Sequence, residues 1–223
     1  MPRIRAANLA EHKVITRALI LEKAQEQFAS WGYEDTSFGD IAAAVGMGRT
    51  TLYDYFSDKD DLLASLVEER LPQIIETLIN RIPDDATPLE RLQHLVVLTL
   101  EFLATEPTLG RVLHREVPKL SETARRRVSA AHLTLAREFV ETYRAGVDSG
   151  TLRSLPPGLA GRFLNDLIMS AAQALIDADE PQGDLPVVAG AVTDLLLNGL
   201  ARDRVEKTFP MVRVKTGREL REV

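Results

Sequence analysis

Apolar residues along this chain recur at intervals of three and four, and almost nowhere at two. Ile20, Leu21, Ala24 and Phe28 mark one face of a first helix over about residues 14–31. Gly32 stands where a helix-ending residue of positive φ belongs. Thr36 or Ser37 offers the next N-cap, with Asp40 three residues beyond Ser37 in a capping-box position. The spacing predicts a short second helix over 38–45 ended by Gly46, a third over 49–55, and a fourth from near Lys59 capped by Ser57 or Asp58. Prolines then separate longer helical patterns at about 88–105, 108–117, 119–149, 157–178 and 185–203. Pro72 falls inside the run Leu62 to Ile82, where a lost hydrogen bond should kink or break the helix. The expected fold is all-α, with about nine helices.

Composition narrows the class. The chain has 223 residues, 45% apolar and 27% charged, an ordinary globular balance. It has no cysteine, which removes disulfide and thiolate chemistry and fits a reducing compartment. No run of about 18 apolar residues suggests a membrane span, and the N-terminus lacks a signal-peptide core. The expectation is a cytoplasmic protein with no membrane partner. Net charge is −6, and the first 60 residues carry seven Lys/Arg against nine Asp/Glu. Any nucleic-acid binding must come from a local arrangement of cations and backbone donors.

The stretch VGMGRTTLYDYF, Val45 to Phe56, admits three readings. A phosphate-binding loop needs G-x-x-x-x-G-K-[ST] between a strand and a helix. Here Gly46 and Gly48 are two apart, Arg49 replaces Lys, and a helical pattern precedes them. A plain helical hairpin with a solvated face is a second reading. A helix-turn-helix accounts for more residues: small Ala42 at the crossing, Gly46 in the turn, and Val45, Met47, Leu52 and Phe56 as apolar locks. It leaves Arg49, Thr50, Thr51, Tyr53 and Asp54 facing outward. Arg49 and Thr50 are then the candidates for base contacts. Arg3 and Arg5 form a short basic arm suited to a minor groove, or a disordered tail.

Residues 17–63 resemble the DNA-binding region of the tetracycline-repressor-type (TetR) family of bacterial regulators. The resemblance rests on Ile20, Ala24, Phe28, Gly32, Thr36, Ile41-Ala42, Ala44, Gly46, Thr51-Leu52-Tyr53, Tyr55-Phe56, Lys59 and Leu62. A weaker echo is Gly150-Thr-Leu followed by Leu155-Pro-Pro and Ala160. Gly48, where a capping residue is commoner, and Asp54, where a neutral or basic residue is commoner, depart from the pattern. The resemblance implies that Thr36 or Ser37, Thr51, Tyr53, Tyr55 and Lys59 hold the DNA backbone. It implies a DNA-binding domain over 1–62 and a helical effector-binding and dimerisation domain over 63–204. The tail 205–223 is given no role.

The remainder shows no catalytic constellation. His12, His94, His114 and His132 are scattered, and no metal-ligand or nucleophile motif stands out. We expect no enzyme activity, no cofactor and no metal site. Phe163, Leu164, Leu167, Ile168, Ala171, Leu175 and Ile176 form one apolar stripe; Val187, Val188, Ala191, Val192, Leu195, Leu196, Leu197 and Leu200 form another. A helix so broadly apolar lies deep in a core or pairs with a second copy. The resemblance favours pairing and thus a homodimer. It also implies a small-molecule pocket between the middle helices, with His94, Leu98, Phe102, Phe139, Tyr143, Met169 and Gln173 as candidates and an apolar or amphipathic effector. The expected function is a repressor on a near-palindromic operator, released by that effector. A helical carrier or enzyme with an incidental helix-turn-helix is the rival.

Overall fold

The computed structural model describes residues 2–106, 109–110, 112–156 and 158–200; the side chains of residues 2–10, 112 and 114 lie outside that description, as does the tail. The helices are α1 (Pro2–Trp31), α2 (Phe38–Val45), α3 (Arg49–Leu52), α4 (Lys59–Ile79), α5 (Pro88–Thr105), α6 (Glu122–Ala131), α7 (Leu133–Asp148), α8 (Leu159–Ile176) and α9 (Pro181–Leu200). A π-helical turn at Val112–Glu116 and a 3₁₀ turn at Val117–Lys119 precede α6. The fold is all-α, with a helix-turn-helix at its N-terminal end and a helical remainder.

Local chemistry explains most boundaries. Thr87 caps α5 through a reciprocal box with Glu90, and Pro88 occupies the first turn, where its missing N–H costs nothing. Gly158, at φ 81°, sets the entry to α8. Pro72 is tolerated within α4, which continues to Ile79 rather than breaking. Pro181 and Pro186 both lie within α9, so that helix starts four residues before the expected 185.

Two expectations fail. The segment 119–149 is two helices, because His132 ends α6 by returning its N–H to Ser129 while its Nδ1 lies 2.9 Å from the Val128 carbonyl. No proline or glycine marks that break, so spacing alone could not show it. Of the segment 108–117, expected as an α-helix, residues 109 and 110 are helical, but Val112–Glu116 is a π turn running into the 3₁₀ turn at Val117–Lys119.

The backbone gathers into two compact units, Met1–Thr77 with Thr108–Ala136, and Leu78–Pro107 with Arg137–Val223. The functional boundary expected at residue 62 therefore lies inside α4. Within the first unit, Ile20, Ala24 and Phe28 of α1 and Ile41 and Ala42 of α2 are buried. Leu62, Leu63, Ala64 and Val67 of α4 are fully buried. Within the second, α9 packs on α5 and α8, and Leu103, Ala172 and Ile176 form a cluster flanked by Phe102.

Candidate nucleic-acid interface

The reading head is assembled by backbone devices. Gly32, at φ 86°, closes α1 with its N–H 3.0 Å from the Phe28 carbonyl. Ser37 then caps α2: its Oγ accepts from the Asp40 N–H at 3.1 Å, and its own N–H donates to the Asp40 carboxylate at 2.8 Å. Those bonds hold the Asp40 carboxyl below the usual carboxylate range, the Ser37 hydroxyl contributing most. Gly46, at φ 79°, ends α2 in the left-handed region, and the Met47 N–H bonds the Ala42 carbonyl at 2.9 Å. The turn is thereby fixed with Gly46 in the left-handed position that the spacing predicts.

α3 is a single helical turn. Its cap, Gly48, has extended backbone and no side-chain cap bond. What anchors it is Leu52 and Phe56, both buried, with the Tyr55 and Phe56 N–H groups returning to the Leu52 carbonyl at 3.1 Å. Arg49, Thr50, Thr51, Tyr53 and Asp54 are exposed, and Tyr55 is half-buried. Tyr53 rests on Phe38 with ring centroids 4.9 Å apart. A short helix carrying hydroxyls and a guanidinium outward, pinned from below by apolar side chains, suits insertion beside phosphates and base edges.

Several expected contacts are spent elsewhere. Thr36 is 1% exposed, and its hydroxyl donates to the Gly32 carbonyl at 2.6 Å; it buttresses the α1–α2 loop rather than facing solvent. Ser37, the alternative, is exposed but engaged in the capping box. The Lys59 ammonium donates to the carbonyls of Tyr33 at 2.6 Å, Thr36 at 3.1 Å and Glu34 at 3.3 Å, and it lies 4.3 Å from the Tyr33 ring centroid. All three of its protons are used. Burial pulls its pKa below the ordinary lysine value despite the nearby carboxylates of Asp60 and Glu34.

N–H groups at the start of α4 are already engaged within the chain. The Asp58 carboxylate takes the Asp61 N–H at 2.7 Å, and the Asp61 carboxylate takes the Ser57 N–H at 2.8 Å, so the helix end already holds its anions. Arg3 and Arg5 fall within α1, whose backbone is helical from Pro2, not in a separate arm; their side chains lie outside the described residues.

Cations that the spacing did not single out lie on α1. The Lys13 ammonium sits 5.8 Å from the Tyr55 ring centroid, and the Arg17 guanidinium 4.7 Å from that of Phe56 while pairing with Glu69 at 2.8 Å. Nothing in a helical pattern reveals that α1 brings these beside Tyr55 and Phe56, which follow α3; only the tertiary fold does. A second network ties α6 to α4. Arg127 donates to Asp61 at 2.6 Å, to Ser65 at 2.8 Å and to Glu68 at 2.6 and 2.9 Å. The bonds to Glu68 chiefly push the guanidinium pKa upward. Asp60 bridges the Tyr33 hydroxyl at 2.6 Å and the Ser121 N–H at 2.8 Å, and burial together with Asp60 raises the Tyr33 pKa.

In the second unit, the apolar stripes divide by burial. Leu164 (3% exposed), Ala171, Leu175, Val192 and Leu196 lie in the chain's own core, which corrects their expected place at a dimer face. Phe163 (55%) and Leu195 (61%) are exposed, with Leu167 and Val188 intermediate. Val187 and Met169 add to the exposed set. Of the pocket candidates, Leu98 and Phe139 are buried, His94, Phe102, Tyr143 and Gln173 are half-buried, and Met169 is exposed. The Tyr143 hydroxyl donates to the Arg153 carbonyl at 2.9 Å and accepts from the Leu155 N–H at 2.8 Å, which ties the turn before α8. The Gln173 amide donates to Asp177. Both polar tips thus have intramolecular partners. Among the described residues no group of His, Asp and Glu gathers as metal ligands, and no helix is long and apolar enough to cross a membrane.

A buried-and-capped helix-turn-helix with an exposed polar third helix defines a DNA-binding transcriptional regulator. The chain belongs to the bacterial TetR family. Residues 20–66 match the model of the bacterial regulatory proteins of the tetR family, and residues 85–173 match a tetracyclin repressor-like C-terminal domain. The chain is 25% identical over 184 residues to the fatty acid metabolism regulator protein of Bacillus subtilis, spanning 81% of this chain and 93% of that one. It is 26% identical over 152 residues to the HTH-type transcriptional repressor KstR2 of Mycobacterium tuberculosis, spanning 67% and 76%. The solved structure of FadR from Bacillus subtilis in complex with stearoyl-CoA shares the fold at TM-score 0.70, with 24% identity over 82% of this chain and 98% of that one.

Proposed function

We propose that this regulator is a homodimeric repressor that binds a near-palindromic operator and is released by an amphipathic acyl thioester. The observation that carries the DNA reading is the α3 surface: Arg49, Thr50, Thr51 and Tyr53 outward over a buried Leu52. Exposed Phe163 on α8 and Leu195 on α9 support the pairing of two copies. A two-fold dimer sets its recognition helices about 34–36 Å apart, one turn of DNA, or somewhat more. The acyl-thioester effector is supported by the Bacillus relative's name and by the stearoyl-CoA in the FadR structure. It also fits the apolar lining expected from Leu98, Phe102 and Phe139.

The test has two stages. Sequences bound from random duplex DNA are selected with the wild type and with the Thr51→Ala/Tyr53→Ala double variant. A near-palindrome enriched only by the wild type supports the operator reading; no enrichment sinks it. Stearoyl-CoA, free stearate and coenzyme A are then titrated into the complex while fluorescence anisotropy of the DNA is followed. Release by stearoyl-CoA alone supports the acyl thioester. Release by stearate as well assigns recognition to the chain, and release by none removes this effector class.

A further inference from the structure

The contacts around Tyr53 give it a task other than holding the DNA backbone. Arg49 opens α3 and is the only cation of that helix. Tyr53 follows four residues later, so the two side chains lie on one face. The Arg49 Nη2 donates to the Tyr53 hydroxyl at 3.3 Å, and the guanidinium carbon lies 5.9 Å from the ring centroid. The ring is itself held: Tyr53 is 48% exposed, and its ring packs on Phe38, the buried first residue of α2, at a 49° tilt. A chain of contacts therefore runs from the core through Phe38 and Tyr53 to the guanidinium. Among the described residues Arg49 makes no ion pair that would draw it elsewhere.

We propose that Tyr53 is a positioning residue that aims Arg49 at one guanine of each half-site, and so sets specificity at that base pair. The proposal rests on the DNA reading given above. A surface arginine samples many rotamers, and bidentate recognition of guanine O6 and N7 demands one orientation of a planar fork. A hydroxyl fixed by ring packing restricts that search, and it occupies one N–H of Nη2 while leaving the others to a base edge. Arg49→Lys keeps the charge but loses the fork. Tyr53→Phe keeps the ring on Phe38 but removes the acceptor. A phosphate-holding tyrosine would behave differently, because its loss weakens all sequences alike and leaves the ranking of bases untouched; its hydroxyl is neutral, so the salt slope, which counts cations on phosphates, does not move in either case.

The experiment is selection from random duplex DNA by the full-length wild type, Arg49→Lys and Tyr53→Phe, followed by affinity measurements on the selected site across a salt series. The wild type is expected to prefer guanine at one position per half-site. Both variants are expected to lose about tenfold of that preference at the same position, with the rest of the site and the Tyr53→Phe salt slope unchanged. The inference is overturned if Tyr53→Phe keeps every base preference, whether or not its salt slope falls, or if it loses preference at a position that Arg49→Lys leaves intact. An Arg49→Lys profile identical to wild type overturns it as well. In each of these cases the wild-type site is still enriched, so the DNA reading stands; absence of any wild-type enrichment sinks both.

Discussion

At the scale of single residues, the cations and hydroxyls of the head divide by what their polar atoms already touch. Lys59 gives its protons to three loop carbonyls, so it is a brace for the α1–α2 loop. Lys59→Met is expected to cost about 1–2 kcal/mol of stability, given the partial exposure of these charge-assisted bonds. The salt slope of operator binding should not change. A slope reduced by about one would show instead that Lys59 neutralises a phosphate. Lys13 is the converse case: it is exposed beside Tyr55 on the head. Lys13→Ala is expected to lower that slope by about one without moving the melting temperature; a melting change with an intact slope would make it structural.

At the scale of elements, α4 is bound at its start to α6 by charge. Burial acts to raise the Asp61 pKa, but the Ser57 N–H and Arg127 outweigh it and hold the carboxyl below its ordinary range. A depressed folded pKa contributes stability that is complete above about pH 4 and is lost as pH falls through the folded value. Asp61→Asn is therefore expected to lower the melting temperature at pH 7, by the equivalent of about 1 kcal/mol for so partly exposed a group. The difference from wild type should close as pH is taken below 4. A difference that stays constant across that range would place the effect in shape rather than charge. The glycine at the turn belongs to the same scale: Gly46 is left-handed, with open space where a Cβ would sit. The constraint there is backbone conformation, not crowding.

At the scale of the whole molecule, the proposed pairing of two copies turns on which apolar side chains the chain leaves outside. Leu195 and Leu196 are neighbours in sequence, yet Leu195 is exposed and Leu196 is buried. With the proposed homodimer, Leu195→Asp is expected to shift the protein from dimer to monomer in sedimentation velocity while leaving its circular dichroism intact. Leu196→Asp is expected to unfold the second unit, since an unpaired charge would enter its core. A Leu195→Asp protein that sediments as wild type would move the pairing surface off α9.

The sequence by itself determined the helical class, the capping box at Ser37, the glycine at the turn and the span of α5. All of these depend on groups within a few residues of one another. It also carried the surface of α3, because a single turn with one buried leucine leaves its other side chains nowhere to go but outward. What only the tertiary structure decided was the use of each polar atom and each apolar face. Thr36 and Lys59 look like phosphate binders until the loop carbonyls they serve are in place, and Lys13 looks idle until the fold sets it over Tyr55. The stripes on α8 and α9 are wider than one interface needs, and periodicity cannot apportion them between the chain's own core and a partner. That apportionment follows from which neighbours the fold brings against each side of the helix, and those neighbours are distant in sequence.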